Sequence, residues 1–365
     1  GVKLLCWRIS IIMRIKISNK KDIYNYCEPY IIAEIGSNHN GDMGLAKKLI
    51  ESAKECGADA VKFQSWTPES LVAKEEYDRN QSYDDGDGGK KHFGSLKEMV
   101  EKYYLREDQH IELKNYCDSI GIDFCSTPFS KQEVDLLFKL NVPFFKIASM
   151  DVNNLELLKH VGQFKTPVVL STGMATLAEI EIAVKTLESA GCNQIIILHC
   201  IAIYPPKNED INLNNIKMLQ QTFNYPIGFS DHTIGTFIPL ASVALGSCLI
   251  EKHFTLDKDM PGWDHAISAD PSELKEIVMG SENISKSLGS FERIVSKDEE
   301  AKKLIFRRSI VTLRNIPENE IIRETDLGYK RPGSGIPPNE MKYVLGRVVK
   351  KALKKDELIS WDDLI

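Results

Sequence analysis

Short apolar runs bounded by turn residues recur along the chain, at residues 30–35, 60–64, 122–126, 144–147, 168–171, 195–199, 226–230 and 248–253. Runs this short, rich in Val, Ile and Phe and without strict alternation, suit strands covered on both faces. Between them lie stretches with apolar residues at helical spacing, at 44–56 (Leu45, Leu49, Ile50, Ala53), 132–140, 177–190 and 272–288. A strand followed by a helix, eight times over, predicts a (β/α)8 TIM barrel of α/β class. An open doubly wound sheet is the alternative, and it lacks the G-x-G-x-x-G turn expected after its first strand.

Barrel chemistry sits at the carboxyl ends of the strands, and the polar residues of the runs collect there. They are Glu34, Lys62 and Gln64, Thr127, Lys146 and Ser149, Ser171 and Thr172, His199, Asp231 and His232, and His253. One connection is long, residues 66–105, and carries Asp84-Asp-Gly-Asp-Gly-Gly89. A calcium loop would need the EF-hand spacing and its closing Glu, which are missing, so a mobile loop over the site is expected. Beyond residue 288 the composition changes. Residues 20–290 are expected to form the barrel, 291–306 a charged linker, and 307–365 a small β-rich domain with runs at 309–313 and 344–349. At the other end, residues 2–17 are apolar but broken by Lys3, Arg8, Arg14 and Lys16, which reads as an edge strand or extension rather than a leader.

Composition narrows the function classes. Forty-two per cent apolar and 27% charged residues is ordinary globular usage, and 46 basic against 52 acidic side chains leaves −6, which argues against a sequence-blind nucleic-acid binder. The eight cysteines form no C-x-x-C pair and several lie inside apolar runs, as expected of buried thiols in a reducing, cytoplasmic setting. No uncharged run approaches the roughly 18 residues of a membrane span.

The candidate chemistry follows from what strand ends cannot hold cheaply. His232 and His253 close adjacent strands, so their imidazoles can share a divalent cation and leave positions open for water and substrate. His199 and His39 read instead as a packed side chain and a turn residue. Lys62 and Lys146 interrupt apolar strands, where an ammonium needs an anion. A salt bridge to Glu34 is one answer. A doubly anionic substrate, also held by Thr127, Ser149 and Ser171, is the other. Glu34, Asp151 and Asp264 flank the cluster, one suited to acid/base work and another to sugar hydroxyls.

Ordered motifs then identify a family. Glu34-Ile-Gly-Ser-Asn-His-Asn-Gly41, Val61-Lys-Phe-Gln64, Ser126-Thr-Pro-Phe129, Lys146-Ile-Ala-Ser149, Leu170-Ser-Thr-Gly-Met174 and Leu198-His-Cys200 come first. Tyr204-Pro205, Phe229-Ser-Asp-His-Thr233, Glu251-Lys-His-Phe-Thr255, Pro261-Gly-Trp-Asp264 and Lys330-Arg-Pro-Gly333 complete the set. From about residue 30 to the end the chain resembles the sialic acid (N-acetylneuraminate) synthases, including those for legionaminic and pseudaminic acids. The resemblance implies a TIM barrel with a C-terminal antifreeze-like (SAF) domain, in a domain-swapped homodimer. It implies a transferase that condenses phosphoenolpyruvate with an N-acetylmannosamine-type sugar and releases phosphate. His232 and His253 would hold the cation, usually Mn2+, with Mg2+ or Co2+ as alternatives. Lys62, Gln64, Thr127, Lys146, Ser149 and Ser171 would bind phosphoenolpyruvate. Glu34, Tyr204, Ser230 and Asp264 would face the sugar, and Arg331 of the partner's SAF domain would reach its N-acetyl group.

Two positions depart from the family pattern. Asp151 stands where the acid/base glutamate is expected, one methylene shorter. Ala202 replaces a common asparagine, which admits a legionaminate-type synthase using a 2,4-diacetamido-trideoxy hexose. Two other classes compete. A metal-dependent aldolase would not need two strand lysines. An ice- or carbohydrate-binding protein would not crowd its small domain with Arg307, Arg308, Arg323, Lys330 and Arg331.

Overall fold

A computed structural model describes residues 13–18, 21–79 and 95–365. Within them the chain divides into two compact units, residues 1–289 and 290–365.

The first unit is built on eight parallel strands. They are β3 (Tyr30–Gly36), β4 (Ala60–Ser65), β5 (Asp123–Pro128), β6 (Phe145–Ile147), β7 (Val168–Ser171), β8 (Ile195–Cys200), β9 (Ile227–Asp231) and β10 (Leu249–His253). Their order is β5-β4-β3-β10-β9-β8-β7-β6. The first barrel strand thus pairs with the last, Glu34 opposite His253, and β5 lies beside β6, giving a nearly closed (β/α)8 barrel. Helices such as Met43–Glu55, Glu107–Ile120, Leu177–Ser189 and Pro271–Leu288 cover it. Side-chain caps from Asp42, Thr176 and Asp270 start three of them by satisfying free amide groups of the first turn.

Strand side chains alternate between two faces, which sorts each run by position. One set (Ile31, Ala33, Ile35, Val61, Phe63, Phe145, Ile147, Val168, Leu170, Ile195, Ile197) packs outward under the helices. The other set (Ile32, Ala60, Cys125, Phe144, Val169, Ile196, Leu198, Leu249) fills the barrel interior. Gly228 has no side chain because there is no room for one: a Cβ there would lie 2.7 Å from Leu198 Cδ2 and 2.7 Å from Leu249 O. Below this layer the antiparallel hairpin of β1 (Ile15–Ile17) and β2 (Lys21–Ile23) adds Ile15, Ile17 and Ile23 to the same cluster. The end of the expected N-terminal extension therefore seals the lower mouth of the barrel, and residues 1–12 lie outside the described residues.

One expectation for this unit differs from the structure. The connection 66–105 contains the helices Pro68–Leu71, Lys74–Arg79 and Leu96–Tyr103, around a small core of Trp66, Leu96, Met99, Val100 and Tyr103. Ser95 and Glu98 form a capping box that nucleates the last of these. The Asp84–Gly89 stretch considered for calcium lies outside the described residues.

In the second unit, residues of the charged linker form the helix Lys297–Phe306, capped by Ser296. The strands β11 (Ser309–Thr312) and β12 (Leu327–Lys330) pair over a core that includes Ile310, Ile316, Ile322, Ile336, Val349 and Ile359. The run 344–349 is not a strand. Gly346 turns the backbone to φ +79°, and only single bridges join Val348 to Ile321 and Val349 to Leu364. No helix of the described residues is long and apolar enough to cross a membrane, and the seven described cysteines are free and buried.

If the hairpin seals the barrel, Ile23→Ala should lower unfolding free energy by about 2–5 kcal/mol. A urea midpoint unchanged from the parent would show that the hairpin merely rests on the barrel.

Candidate active site

The same alternation that stacks apolar layers inside the barrel puts polar groups in its top layer. Positions two residues beyond Ile32, Ala60, Phe144, Val169, Leu198, Gly228 and Leu249 are Glu34, Lys62, Lys146, Ser171, Cys200, Ser230 and Glu251, and all seven line one cavity of about 250 Å3. Gln64, Thr127, Ser149, Ala202, Tyr204, His232 and His253 join them. A larger open groove of about 510 Å3 lies against Leu177, Val184 and Tyr225, but no strand-end group reaches it. Of the residues expected from sequence, Asp151, Asp264 and Arg331 are not among those lining the cavity.

Four buried charges alternate across the cavity floor. Lys62 Nζ lies 2.9 Å from Glu34 Oε2 and 3.8 Å from Glu251 Oε2, and it donates to Thr127 Oγ1 at 2.9 Å. Lys146 Nζ lies 3.5 Å from Glu251 Oε1 and donates to Ser171 Oγ at 2.7 Å. Gln64 Nε2 donates to Glu34 Oε1 at 3.0 Å, and Ser230 Oγ to Glu251 Oε1 at 2.9 Å. Burial pushes Glu34 up to about 7, with Lys62 opposing and Glu251 reinforcing the rise. Burial also acts on Glu251, but Lys146 and Lys62 outweigh it and hold that carboxyl low. Burial lowers Lys146, with Glu251 resisting. The first answer offered for the lysines holds for Lys62, which is bridged to Glu34, while Lys146 is bridged to Glu251 instead, and both face a cavity whose walls carry hydroxyl groups.

Glu251 is the site residue that sequence reasoning passed over. The signal was available, since a glutamate inside an apolar strand two positions before His253 must share its face.

His232 and His253 sit with ring centroids 5.5 Å apart. His232 Nδ1 lies 2.8 Å from Ile201 O, and because a carbonyl only accepts, Nδ1 carries the proton and Nε2 keeps its lone pair. Burial lowers the His232 pKa, yet Cys200 Sγ, 3.9 Å from Nδ1, and the Ile201 carbonyl raise it overall. Burial and then the neighbouring His232 and lysines hold His253 well below the usual imidazole range, so it is neutral. His253 Nδ1 is buried without a hydrogen bond, 3.7 Å from Asp264 Oδ2. An imidazole pair whose neutral forms each offer a ring-nitrogen lone pair fits a divalent cation. Among the described residues, no group of three or more His, Cys, Asp or Glu could hold one without further ligands. The Tyr204 ring packs 4.1 Å from that of His232.

The remaining expected residues lie as follows. Asp151 ends the short turn Ser149–Asp151, where Oδ1 accepts from Asn154 Nδ2 at 3.0 Å and Oδ2 is buried without a partner. Burial raises its pKa. Arg331 belongs to the second unit, with its guanidinium 5.0 Å from the Phe306 ring. His199 donates to Ile211 O and stacks on Phe229, as a packing residue does.

Between the two histidines' strands runs a second buried ion pair, facing away from the cavity. Lys252 Nζ lies 2.7 Å from Asp231 Oδ2 and also donates to Thr233 O, while Asp231 accepts from Thr233 N at 2.9 Å. Each member precedes a histidine in sequence, so the pair fixes β9 against β10 where the imidazoles emerge. Asp231→Ala leaves a buried ammonium without its carboxylate and should cost about 3–5 kcal/mol of stability. Thermal or urea unfolding within error of the parent would mean that Lys252 finds water instead.

Comparison with known proteins agrees with a barrel followed by a small second unit. Residues 49–293 match the model of the NeuB family and residues 307–365 that of the SAF domain. An uncharacterised protein of Methanocaldococcus jannaschii is 46% identical, over 92% of this chain and 94% of its own length. The N,N'-diacetyllegionaminic acid synthase of Campylobacter jejuni is 42% identical, over 90% of this chain and 98% of its own. The crystal structure of N-acetylneuraminic acid (sialic acid) synthetase from Leptospira borgpetersenii, in complex with citrate, matches with a TM-score of 0.69 and 34% identity. That match covers 80% of this chain and 95% of the other. With a catalytic-type barrel that matches one model and a C-terminal segment that matches the other, the chain belongs to the NeuB family of synthases.

Proposed function

We propose that this enzyme condenses phosphoenolpyruvate with an N-acetylmannosamine-type amino sugar, giving a nonulosonic acid and inorganic phosphate. The observation that carries the reading is the joint lining of one cavity by two buried lysines and two histidines. An aldolase of the same fold needs the second pair but not the first.

In this reading Lys62 and Lys146 take the phosphate and carboxylate of phosphoenolpyruvate, with Thr127, Ser149, Ser171 and Gln64 as further donors. Their ammonium groups already sit among carboxylates, so the cavity floor is nearly neutral before substrate enters and stays folded without it. His232 and His253 would hold a divalent cation, Mn2+ being the expectation, which when bound polarises the sugar aldehyde. The enol carbon forms its bond to that aldehyde carbon, water adds to the resulting cationic carbon, and the carbon–oxygen bond to phosphate breaks. Placing both partners over one floor supplies part of the acceleration by proximity. Glu34, held near 7, can keep or release a proton at its carboxyl oxygens beside the sugar. Asp151 would act through one intervening water, being a methylene short of the expected glutamate. Asp264, Tyr204 and Ser230 would meet sugar hydroxyls. Arg331 would come from the SAF domain of a second copy, in a swapped homodimer.

A second reading concerns the sugar. Ala202 presents a methyl where an amide is common in sialic acid synthases, and it lines the cavity beside Ser149 and Met174. A surface without that polar group suits a 2,4-diacetamido-trideoxy hexose, the legionaminate-type substrate.

His232→Ala and His253→Ala should each lower kcat/KM by about a hundredfold or more, the equivalent of several kcal/mol of lost charge stabilisation. Near-normal turnover with added Mn2+ would remove the cation site. Phosphate release from phosphoenolpyruvate should be seen with one of three acceptors: N-acetylmannosamine, its 6-phosphate, or a 2,4-diacetamido-trideoxy hexose. Release with none of them would end the reading, and the preferred acceptor decides the role of Ala202.

A further inference from the structure

Two loops at the top of the barrel, after β3 and after β10, are joined by side chains for which the proposed reaction has no direct use. Asn38 Nδ2 donates to Phe254 O and to Ser268 Oγ, at 2.9 Å each, and Ser268 Oγ donates in turn to the backbone carbonyl of Asp264 at 2.5 Å. Asn40 Nδ2 donates to Pro261 O at 2.9 Å, which leaves its Oδ1 as the acceptor facing His265 Nε2 at 3.1 Å. On its other side His265 Nδ1 lies 2.7 Å from Thr255 Oγ1, which donates to Asp257 O at 3.0 Å. Asn38, Thr255, His265 and Ser268 are all buried. The join is also close: a Cβ on Gly262, whose φ is +151°, would lie 2.6 Å from His265 Cδ2 and 2.7 Å from Asn40 Oδ1.

What this clasp holds is Asp264. Its backbone is tied from below through Ser268, and its neighbours on both sides, Pro261 and His265, are tied through Asn40. Trp263, next in the chain, packs 5.3 Å from Tyr103 and 6.3 Å from Trp66. The carboxylate so placed lies 3.7 Å from His253 Nδ1, at the end of β10, three strands away from both β5 and β7, which carry Thr127 and Ser171.

We propose that Asn38 and Asn40, acting through Ser268 and His265, are positioning residues that hold Asp264 beside His253, and that they set affinity for the polyhydroxylated substrate rather than for the phosphorylated one. The inference rests on the reading that Asp264 meets the sugar. A loop that drifts by a fraction of an ångström weakens first the contacts it carries, and the lysines themselves stand on β4 and β6, within the barrel wall rather than on these loops. Positioning partners of this kind change activity by about 10–100-fold when removed.

Two variants test it from opposite sides. Asn40→Ala removes the hydrogen bonds of a partly exposed side chain, and Gly262→Ala displaces the clasp by contact while deleting no polar group. Each should raise the KM for the amino sugar about tenfold or more while the KM for phosphoenolpyruvate stays within about twofold. Hydrogen exchange should quicken across residues 257–268 and stay slow in the barrel strands. In an Asp264→Asn background, Asn40→Ala should add nothing further. An equal rise in both KM values, an undiminished effect in that background, or unchanged exchange in residues 257–268 overturns the proposal. The two layers separate: Asn40→Ala silent beside an impaired Asp264→Asn removes the clasp alone, whereas Asp264→Asn with normal sugar KM removes the assignment beneath it.

Discussion

The arrangement of this enzyme depends on placing four charges, Lys62, Lys146, Glu34 and Glu251, inside a barrel whose lower interior is packed with apolar side chains. An isolated ammonium or carboxylate there would cost several kcal/mol, so each must be matched before any substrate arrives. The solution is alternation: Glu34, Lys62, Glu251 and Lys146 stand in opposite-sign contact around the floor, with hydroxyl groups of Thr127, Ser171 and Ser230 filling the remaining hydrogen bonds. Preformed in this way, the floor holds both ammonium groups in place with no further anion needed to balance them. Burial holds Glu34 near 7 as a by-product of the same arrangement.

Everything beneath that floor supports its level. The interior packing of Phe144, Val169, Leu198 and Leu249, closed by the hairpin isoleucines, leaves the top layer one place to go. Outside the barrel wall, the Asp231–Lys252 pair locks β9 to β10 one residue before each histidine. The buried pair thus stabilises geometry more than it stabilises the fold, since an apolar pair in its place could pack as well. Above the floor, loops supply what strands cannot: Tyr204 against His232, and Asp264 held toward His253.

The barrel strands were legible because buried parallel strands are short, apolar and flanked by turn residues, and the structure places them within a residue or two of those limits. Lys62, Lys146, His232 and His253 were legible for the opposite reason, being polar where the pattern demands apolar. Glu251 obeys the same rule, two positions before His253 on the same strand face. The helices within residues 66–105 and the loop over 344–349 escaped notice because their patterns are short. A capping box at Ser95 and a turn at Gly346 decide them, and local signals of three or four residues are weak.

Periodicity and composition by themselves determined the order of elements, the division into barrel and small domain, and which side chains would be costly to bury without partners. They could not determine who pairs with whom. Lys62 meets Glu34 across 28 residues of chain and Glu251 across 189, and Asn38 meets Ser268 across 230; such contacts come only from closing the sheet, β3 upon β10. Closure adds the fact a linear reading lacks, the register between strands distant in sequence. Register turns a scatter of charged residues into one cavity, and it places Glu251 between two lysines.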